Sequence, residues 1–422
     1  MMKSTTDELK SKAQAAKTAS RQLARLSTEV KNRALVKIAE SLVAKEKQII
    51  AANKRDMDEA KASGMDKAML DRLMLNSDRI KAMANDVRTV VALPDPVGET
   101  IEARTLPNGL RLERRRVPLG IIGIIFESRP NVTSDISALC LKSGNAVVLR
   151  GGKEALRSNS ALAKVIREAA AAGGVPIDAI QFIESTERRL VNEMLKMKQT
   201  IDLIIPRGGD KLVSLVTENA TMPVLASGAG ICHMYVDPSA DLKMATRIAY
   251  NAKVQRPTVC NALDCLLVHS DVAGRYLPMI AKEWSKAKVE MHCDPRALKI
   301  LKGFKVKRAT AADWGKEFLA LVAAVKVVDS LDEAMEHIER YGSRHSDAII
   351  TEDYAAAMRF TSEVDTACAY VNASTRFTDG GQFGLGAEVG ISTQKFHARG
   401  PMGLKELTTY KWVILGSGQV RP

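Results

Sequence analysis

Residues 117–155 read VPLGIIGIIFESRPNVTSDISALCLKSGNAVVLRGGKEA. Two short apolar runs stand out in it, IIGIIF at 121–126 and AVVLR at 146–150. Runs that are apolar on both faces form buried parallel strands. DLIIP at 202–206 is a third, and helical stretches such as SALAKVIREAAAAGG at 160–174 separate such runs. Strand, helix, strand in repetition predicts an α/β chain with a doubly wound sheet and a nucleotide crevice at its strand ends.

Upstream, from Thr6 to about Val91, Ala, Leu, Ile and Met recur every three or four residues among Lys, Glu and Asp. That spacing predicts helix after helix, with starts at Thr5–Glu8 and Asn76–Asp78. IEARTLPNGLRLERRRVPLG at 101–120 places two polar, alternating runs around Pro107-Asn108-Gly109, a hairpin signal. It reads as an arm reaching for a partner subunit or as an ordinary surface hairpin. Downstream of Ala229, ICHMYVD, LDCLLVH, VAAVKVVD, DAIIT and AYVNAS predict a second set of strands. KWVILGSG at 411–418 predicts one more, an edge that pairs elsewhere.

The 422 residues are enough for two or three domains. A 46% apolar and 26% charged composition is that of a water-soluble globular chain, and no apolar run approaches membrane-spanning length. The net charge is +13, but Lys and Arg mix with Asp and Glu throughout and no basic stripe interleaves with aromatics. The charge therefore fits anionic metabolites better than nucleic acid. Six scattered cysteines, without a CxxC pair, point to a reducing cytoplasm rather than disulfides. The six histidines show no zinc-ligand spacing, so no metal is expected.

One cysteine has the setting of a nucleophile. Cys260 follows the polar segment 251–257 and precedes the strand LDCLLVH, so it falls at a helix start or tight loop on the edge of a core. Backbone N–H groups and Arg256 beside it would lower a thiol pKa. The competing reading is a buried structural cysteine, which suits Cys265 better. Two strand–Gly-Gly–helix units carry an arginine before their glycines: Arg150-Gly151-Gly152 and Arg207-Gly208-Gly209. Backbone amides at such turns meet anions, although neither unit is a GxGxxG. The glycine-rich stretch 377–403 is a binding loop or a flexible surface loop.

With these residues in view, 117–155, NAKVQRPTVCNALDCLLVH at 251–269, the segment Val328–Ile349 and GLGAEVGISTQKFHARGPMGLKELTTYKW at 384–412 resemble the glutamate-5-semialdehyde dehydrogenase (gamma-glutamyl phosphate reductase) family of the aldehyde dehydrogenase superfamily. The resemblance runs from the N-terminal helices to the last strand. It implies an aldehyde dehydrogenase-like α/β fold. A Rossmann-like cofactor domain would span 1–100 and 117–227, an α/β catalytic domain 228–403, and a small β oligomerisation arm 101–116 and 404–422.

It also implies NADPH-dependent reduction of L-glutamate 5-phosphate to the semialdehyde and phosphate, the second step of proline biosynthesis, by a homo-oligomer supplied by glutamate 5-kinase. Cys260 matches the nucleophile and Asn131 the oxyanion asparagine. Arg150, Lys153, Pro206, Arg207, Gly208, Gly209 and Glu317 match cofactor-binding positions, with Lys153 favouring the 2′-phosphate of NADP. Glu127, Arg129, Arg256 and Arg399 are the expected substrate partners. PVLASGAGICH at 223–233 has no carboxylate where hydrolytic relatives carry their base. The alternatives are a hydrolytic or CoA-acylating aldehyde dehydrogenase, or a non-catalytic binding protein on the same fold.

Overall fold

The computed structural model describes residues 5–421. The chain forms two compact units. One runs through Ala226 and takes in Gly384–Gly390 and the chain from Met402 on; the other comprises Ser227–Phe383 and Ile391–Pro401.

The first unit opens with five helices, Thr5–Leu23, Thr28–Ala44, Glu46–Ala62, Lys67–Leu73 and Ser77–Ala92. Side-chain caps fix several starts: Ser27 accepts from Val30 N, Asp66 from Met69 N and Asn76 from Arg79 N. Each satisfies an amide that the first helical turn leaves without a partner. A parallel sheet follows in the order Ile180–Phe182, Ala146–Gly151, Ile121–Phe126, Leu203–Arg207. Ile121–Phe126 is buried at every position, as its unbroken apolar run requires.

The hairpin forms as read. Thr100–Thr105 pairs antiparallel with Arg111–Pro118. Gly109 takes the turn at φ 85°, and Asn108 Oδ1 accepts from Leu110 N at 3.2 Å. Thr408–Leu415 covers the other side of Arg111–Pro118. It remains the outer strand of that three-stranded sheet and exposes Tyr410, Trp412, Ile414 and Leu415.

The second unit is built on seven parallel strands, in the order Lys307–Arg308, Glu290–Cys293, Val322–Val328, Leu263–His269, Cys232–Val236, Ser346–Ile350, Cys368–Val371. Period-two alternation sorts its side chains. Met234, Val236, Leu266 and Val268 pack with Ala249, Tyr276 and Trp284 on one face. Tyr235, Cys265 and Leu267 pack with Ala334, Ile338 and Phe360 on the other. Burying one such Leu or Val contributes about 1.5–3 kcal/mol. The two-residue pair Ile391–Ser392 and Gly400–Pro401 tucks the glycine-rich loop back on itself. Among the described residues no helix is long and apolar enough to cross a membrane.

Ile180–Phe182, Glu290–Cys293, Lys307–Arg308, Ile391–Ser392 and Gly400–Pro401 are the strands that the sequence reading did not pick out. At two to four residues they are too short to carry a period of their own.

Candidate active site

In the first unit the strand Ile121–Phe126 ends in Glu127-Ser128-Arg129-Pro130, and Asn131 begins the helix Asn131–Lys142. Ser128 turns the chain at φ 44°, and Glu154 holds it there. Glu154 Oε1 accepts from Ser128 N at 2.7 Å and from Ser128 Oγ at 2.8 Å. Asn131 is exposed and donates from Nδ2 to Asp135 Oδ2 at 2.8 Å. Asp135 lies one helical turn on, and withdrawal from water raises its carboxyl pKa to about 6.

The two glycine turns stand at the same edge of the sheet on either side of Ile121–Phe126, which pairs in parallel with both Ala146–Gly151 and Leu203–Arg207. At the first, Arg150 is half-buried, and its Nη2 donates to the Thr186 carbonyl at 3.2 Å. Burial lowers its pKa, and Glu154 opposes that shift. Lys153 projects into solvent, whereas the acid next to it, Glu154, is turned back onto Ser128. At the second turn Pro206 is buried, and Gly208 and Gly209 are exposed. Glu127, one of the expected substrate partners, accepts from Gly209 N at 3.1 Å. A Cβ at Gly208 would meet that carboxylate at 2.4 Å. The Arg207 guanidinium lies over Gly390, where a Cβ would meet Nη1 at 2.7 Å, and it acts electrostatically on Asp135. Arg129 is exposed beside Ser128.

In the second unit Cys260 occupies a tight turn between the helix Leu242–Val254 and the strand Leu263–His269. Of the six cysteines five are buried, and Cys260 alone is partly open. Gly230 lies directly against it: a Cβ there would fall 1.7 Å from the Cys260 carbonyl oxygen. Glu317 Oε1 accepts from Gly230 N at 3.0 Å, so the expected cofactor-binding carboxylate stands one residue's backbone away from the cysteine. The Cys232 thiol donates to the Cys260 carbonyl at 3.2 Å, and burial pushes its own pKa well up.

A second segment holds the same turn. Thr375 Oγ1 donates to the Asn261 carbonyl at 2.8 Å, and Asn261 Nδ2 donates to the Thr378 carbonyl at 2.8 Å. The segment brings up Arg376, whose Nε donates to Gln255 Oε1 at 2.8 Å. Burial, and then Arg256, lower the Arg376 pKa, while Cys260 opposes them. Exposed Arg256 and half-buried Arg376 thus both belong to the cysteine's surroundings. Arg399 is drawn elsewhere: its Nη2 donates to Asp365 Oδ1 at 2.8 Å, and Asp365 also pairs with Lys395 and Arg344.

Beneath the turn, Lys253 and Asp264 form a buried pair at 3.2 Å. Burial raises the Asp264 pKa to about 6 against the pull of Lys253. Asp264 also accepts from Phe318 N at 3.3 Å, which fixes the chain next to Glu317.

Sequence spacing missed Glu154, Asp135, Arg376 and this ion pair. Asp135 had a signal, its i,i+4 spacing from Asn131 on one helix; Glu154 reaches Ser128, 26 residues away, and had none. Nothing local pointed to Arg376. Linear spacing also hid one cluster: His233, Cys265 and His337 are buried and bring their ligand-type atoms within 4.8 Å of one another. Cys265 Sγ lies 3.6 Å from His337 Nε2, and His233 Nδ1 lies 3.3 Å from the Ile231 carbonyl. It ties two strands to the helix Leu331–Tyr341 through soft hydrogen bonds.

Residues 1–299 match the model of the aldehyde dehydrogenase family. The chain is 58% identical over 417 residues to a gamma-glutamyl phosphate reductase of Dehalococcoides mccartyi (strain CBDB1), covering 98% of each. It is 55% identical over 416 residues to that of Caldanaerobacter subterraneus subsp. tengcongensis, covering 98% of this chain and all of the relative. The crystal structure of the gamma-glutamyl phosphate reductase of Thermotoga maritima superposes with a TM-score of 0.97 at 50% identity, over 99% of this chain and 100% of that one. An acetylating aldehyde dehydrogenase of Geobacillus thermoglucosidasius, 18% identical with a TM-score of 0.70, shares the fold.

Proposed function

The chain belongs to the aldehyde dehydrogenase family and, within it, to the gamma-glutamyl phosphate reductases; from that premise we propose that it reduces L-glutamate 5-phosphate to the 5-semialdehyde with NADPH, through a thioester on Cys260. The observation that carries this reading is the turn of Cys260. It holds the one partly open thiol of the chain, with the Gly230 backbone pressed against its carbonyl.

The Cys260 sulfur attacks the acyl carbon, and the electron pair collects on the carbonyl oxygen. Asn131 Nδ2 and the Cys260 backbone N–H are the donors assigned to that oxyanion, each worth about 3 kcal/mol in the transition state. The carbon–oxygen bond to phosphate breaks, and phosphate leaves with the electron pair. When bound, the nicotinamide supplies the hydride. Collapse of the resulting hemithioacetal returns the electron pair to Cys260 sulfur and frees the aldehyde.

Hydrolysis is disfavoured because 223–233 carries no carboxylate where hydrolytic relatives carry their base, and the Glu317 carboxylate beside the turn is engaged by the Gly230 N–H. A dinucleotide fits the first unit, whose two glycine turns stand at the C-terminal ends of the two strands flanking Ile121–Phe126. The choice of NADP over NAD rests on Lys153, which is exposed while Glu154 is tied to Ser128. Arg129 and Arg256 are assigned to the substrate's anionic groups. Arg399, the other expected substrate partner, is engaged by Asp365. Six cysteines, none in a disulfide, support a reducing, cytoplasmic setting, and a handover of the labile acyl phosphate from glutamate 5-kinase suits the chemistry.

Mixing semialdehyde, phosphate and NADP with the protein tests the reading in reverse. Phosphate-dependent appearance of NADPH, abolished in Cys260→Ser while the variant still binds NADP, is the expected result. Turnover that ignores phosphate, or a fully active serine variant, overturns it.

A further inference from the structure

An asparagine side chain can present either end to a ligand. Its two ends are nearly the same size, and hydrogen bonds alone decide which one points where. The oxyanion role assigned to Asn131 requires the NH2 end. Asp135 meets Asn131 across one helical turn, with Nδ2 donating to Oδ2 at 2.8 Å. An ionised carboxylate only accepts, so it must face the NH2 group. One N–H is then engaged, and the second N–H of the same nitrogen remains to be offered. Ser134 Oγ shares its single proton between the Asn131 carbonyl, at 2.9 Å, and the other carboxylate oxygen, at 3.1 Å.

We propose that Asp135 is a positioning residue that locks the Asn131 amide with its NH2 group presented to the developing oxyanion. The inference rests on the oxyanion reading of Asn131. Two charged groups act on Asp135 from neighbouring elements: Asp86, on the helix Ser77–Ala92, and Arg207, at the end of the strand Leu203–Arg207. Withdrawal from water sets its pKa at about 6. A protonated Asp135 can donate its O–H to Asn131 Oδ1. The amide then turns over and offers lone pairs where the oxyanion needs a donor. The lock is therefore closed above about pH 6 and opens below it.

The test is the pH profile of kcat/KM from pH 5 to 8 in the phosphate- and NADP-dependent direction, compared between variants so that substrate ionisations cancel. Asn131→Ala should lose about 100- to 1,000-fold in kcat. Asp135→Ala should lose a large share of that in kcat, with little change in KM. Asp135→Asn keeps an accepting oxygen but cannot titrate. It should lower kcat at pH 8 several-fold and lack the acid limb near pH 6 that the unmodified enzyme has. In the unmodified protein the Asn131 side-chain NH2 resonances, assigned by their loss in Asn131→Ala, should shift with a midpoint near pH 6. This last measurement holds even if an Asp135 variant misfolds. A slow Asn131→Ala beside an Asp135→Ala at the unmodified rate, with the acid limb intact in Asp135→Asn, overturns the positioning inference alone. An Asn131→Ala at the unmodified rate overturns the oxyanion reading and this inference together.

Discussion

Gly230 is where a single atom decides the chemistry. A methyl group there would lie 1.7 Å from the Cys260 carbonyl oxygen, so either the turn moves or the substitution is rejected. Because a shift of about 1 Å in a reacting group costs about 100-fold in rate, Gly230→Ala should lower kcat by at least that much. Circular dichroism and NADP binding should stay near normal, and a variant with unchanged kcat would show that the contact does not position the sulfur. Lys153 makes the opposite kind of contribution, a charge held in solvent with its acidic neighbour turned away. A charge-assisted hydrogen bond to a 2′-phosphate is worth about 1.5–3 kcal/mol. Lys153→Glu should therefore move the NADPH-to-NADH ratio of kcat/KM roughly 10- to 100-fold towards NADH. An unmoved ratio would take the 2′-phosphate away from this lysine. Both residues lie in stretches singled out from the sequence, but Gly230 was read there only as the absence of a base. Its contact with Cys260 could not be read locally, since the two positions are thirty residues apart.

Among the elements, the strands and the hairpin were the legible part. IIGIIF and the CLLV stretch of LDCLLVH carry the apolar runs of buried parallel strands. Pro-Asn-Gly carries the turn that joins Thr100–Thr105 to Arg111–Pro118. How elements lean on one another was not legible, and the strand Ser346–Ile350 shows why. His345, just before it, is buried with its Nδ1 2.9 Å from Ser346 Oγ, and burial lowers its pKa to about 4. In the unfolded chain the same ring takes a proton near 6.5. The contribution of His345 to stability is thus complete above pH 6.5 and falls away as the pH drops through 6.5 towards about 4. At 1.36 kcal/mol per pKa unit this comes to about 3 kcal/mol. The urea midpoint should fall over that interval, and His345→Asn should flatten the fall. An equal fall in the variant would assign the acid sensitivity to other groups.

For the whole molecule the informative surface is the outer strand Thr408–Leu415. It has an unpaired edge and exposes Tyr410, Trp412 and Ile414, alternate residues of one face, with the Arg114 guanidinium 4.8 Å over the Tyr410 ring. An apolar, open strand of this length invites a second strand. We therefore expect a homo-oligomer joined through this sheet. Light scattering should give a multiple of the chain mass for the unmodified protein and the single-chain mass for Trp412→Glu; a single-chain mass for both would remove the arm's role. At this scale the sequence by itself determined the α/β fold class, the longer strands, the hairpin and the glycine turns. Each of these is written in neighbouring residues, as a period of two or of three to four, a turn pair or a run of apolar side chains. Only the tertiary structure decided that Glu317 holds the Gly230 amide across 87 positions, and that the 374–378 segment grips Asn261. It alone decided that Arg399 belongs to Asp365, that Lys253 and Asp264 are buried together, and that Glu127 serves a glycine turn. These depend on which surfaces lose water and which polar atoms must then find partners, and packing sets both without leaving a local period to read.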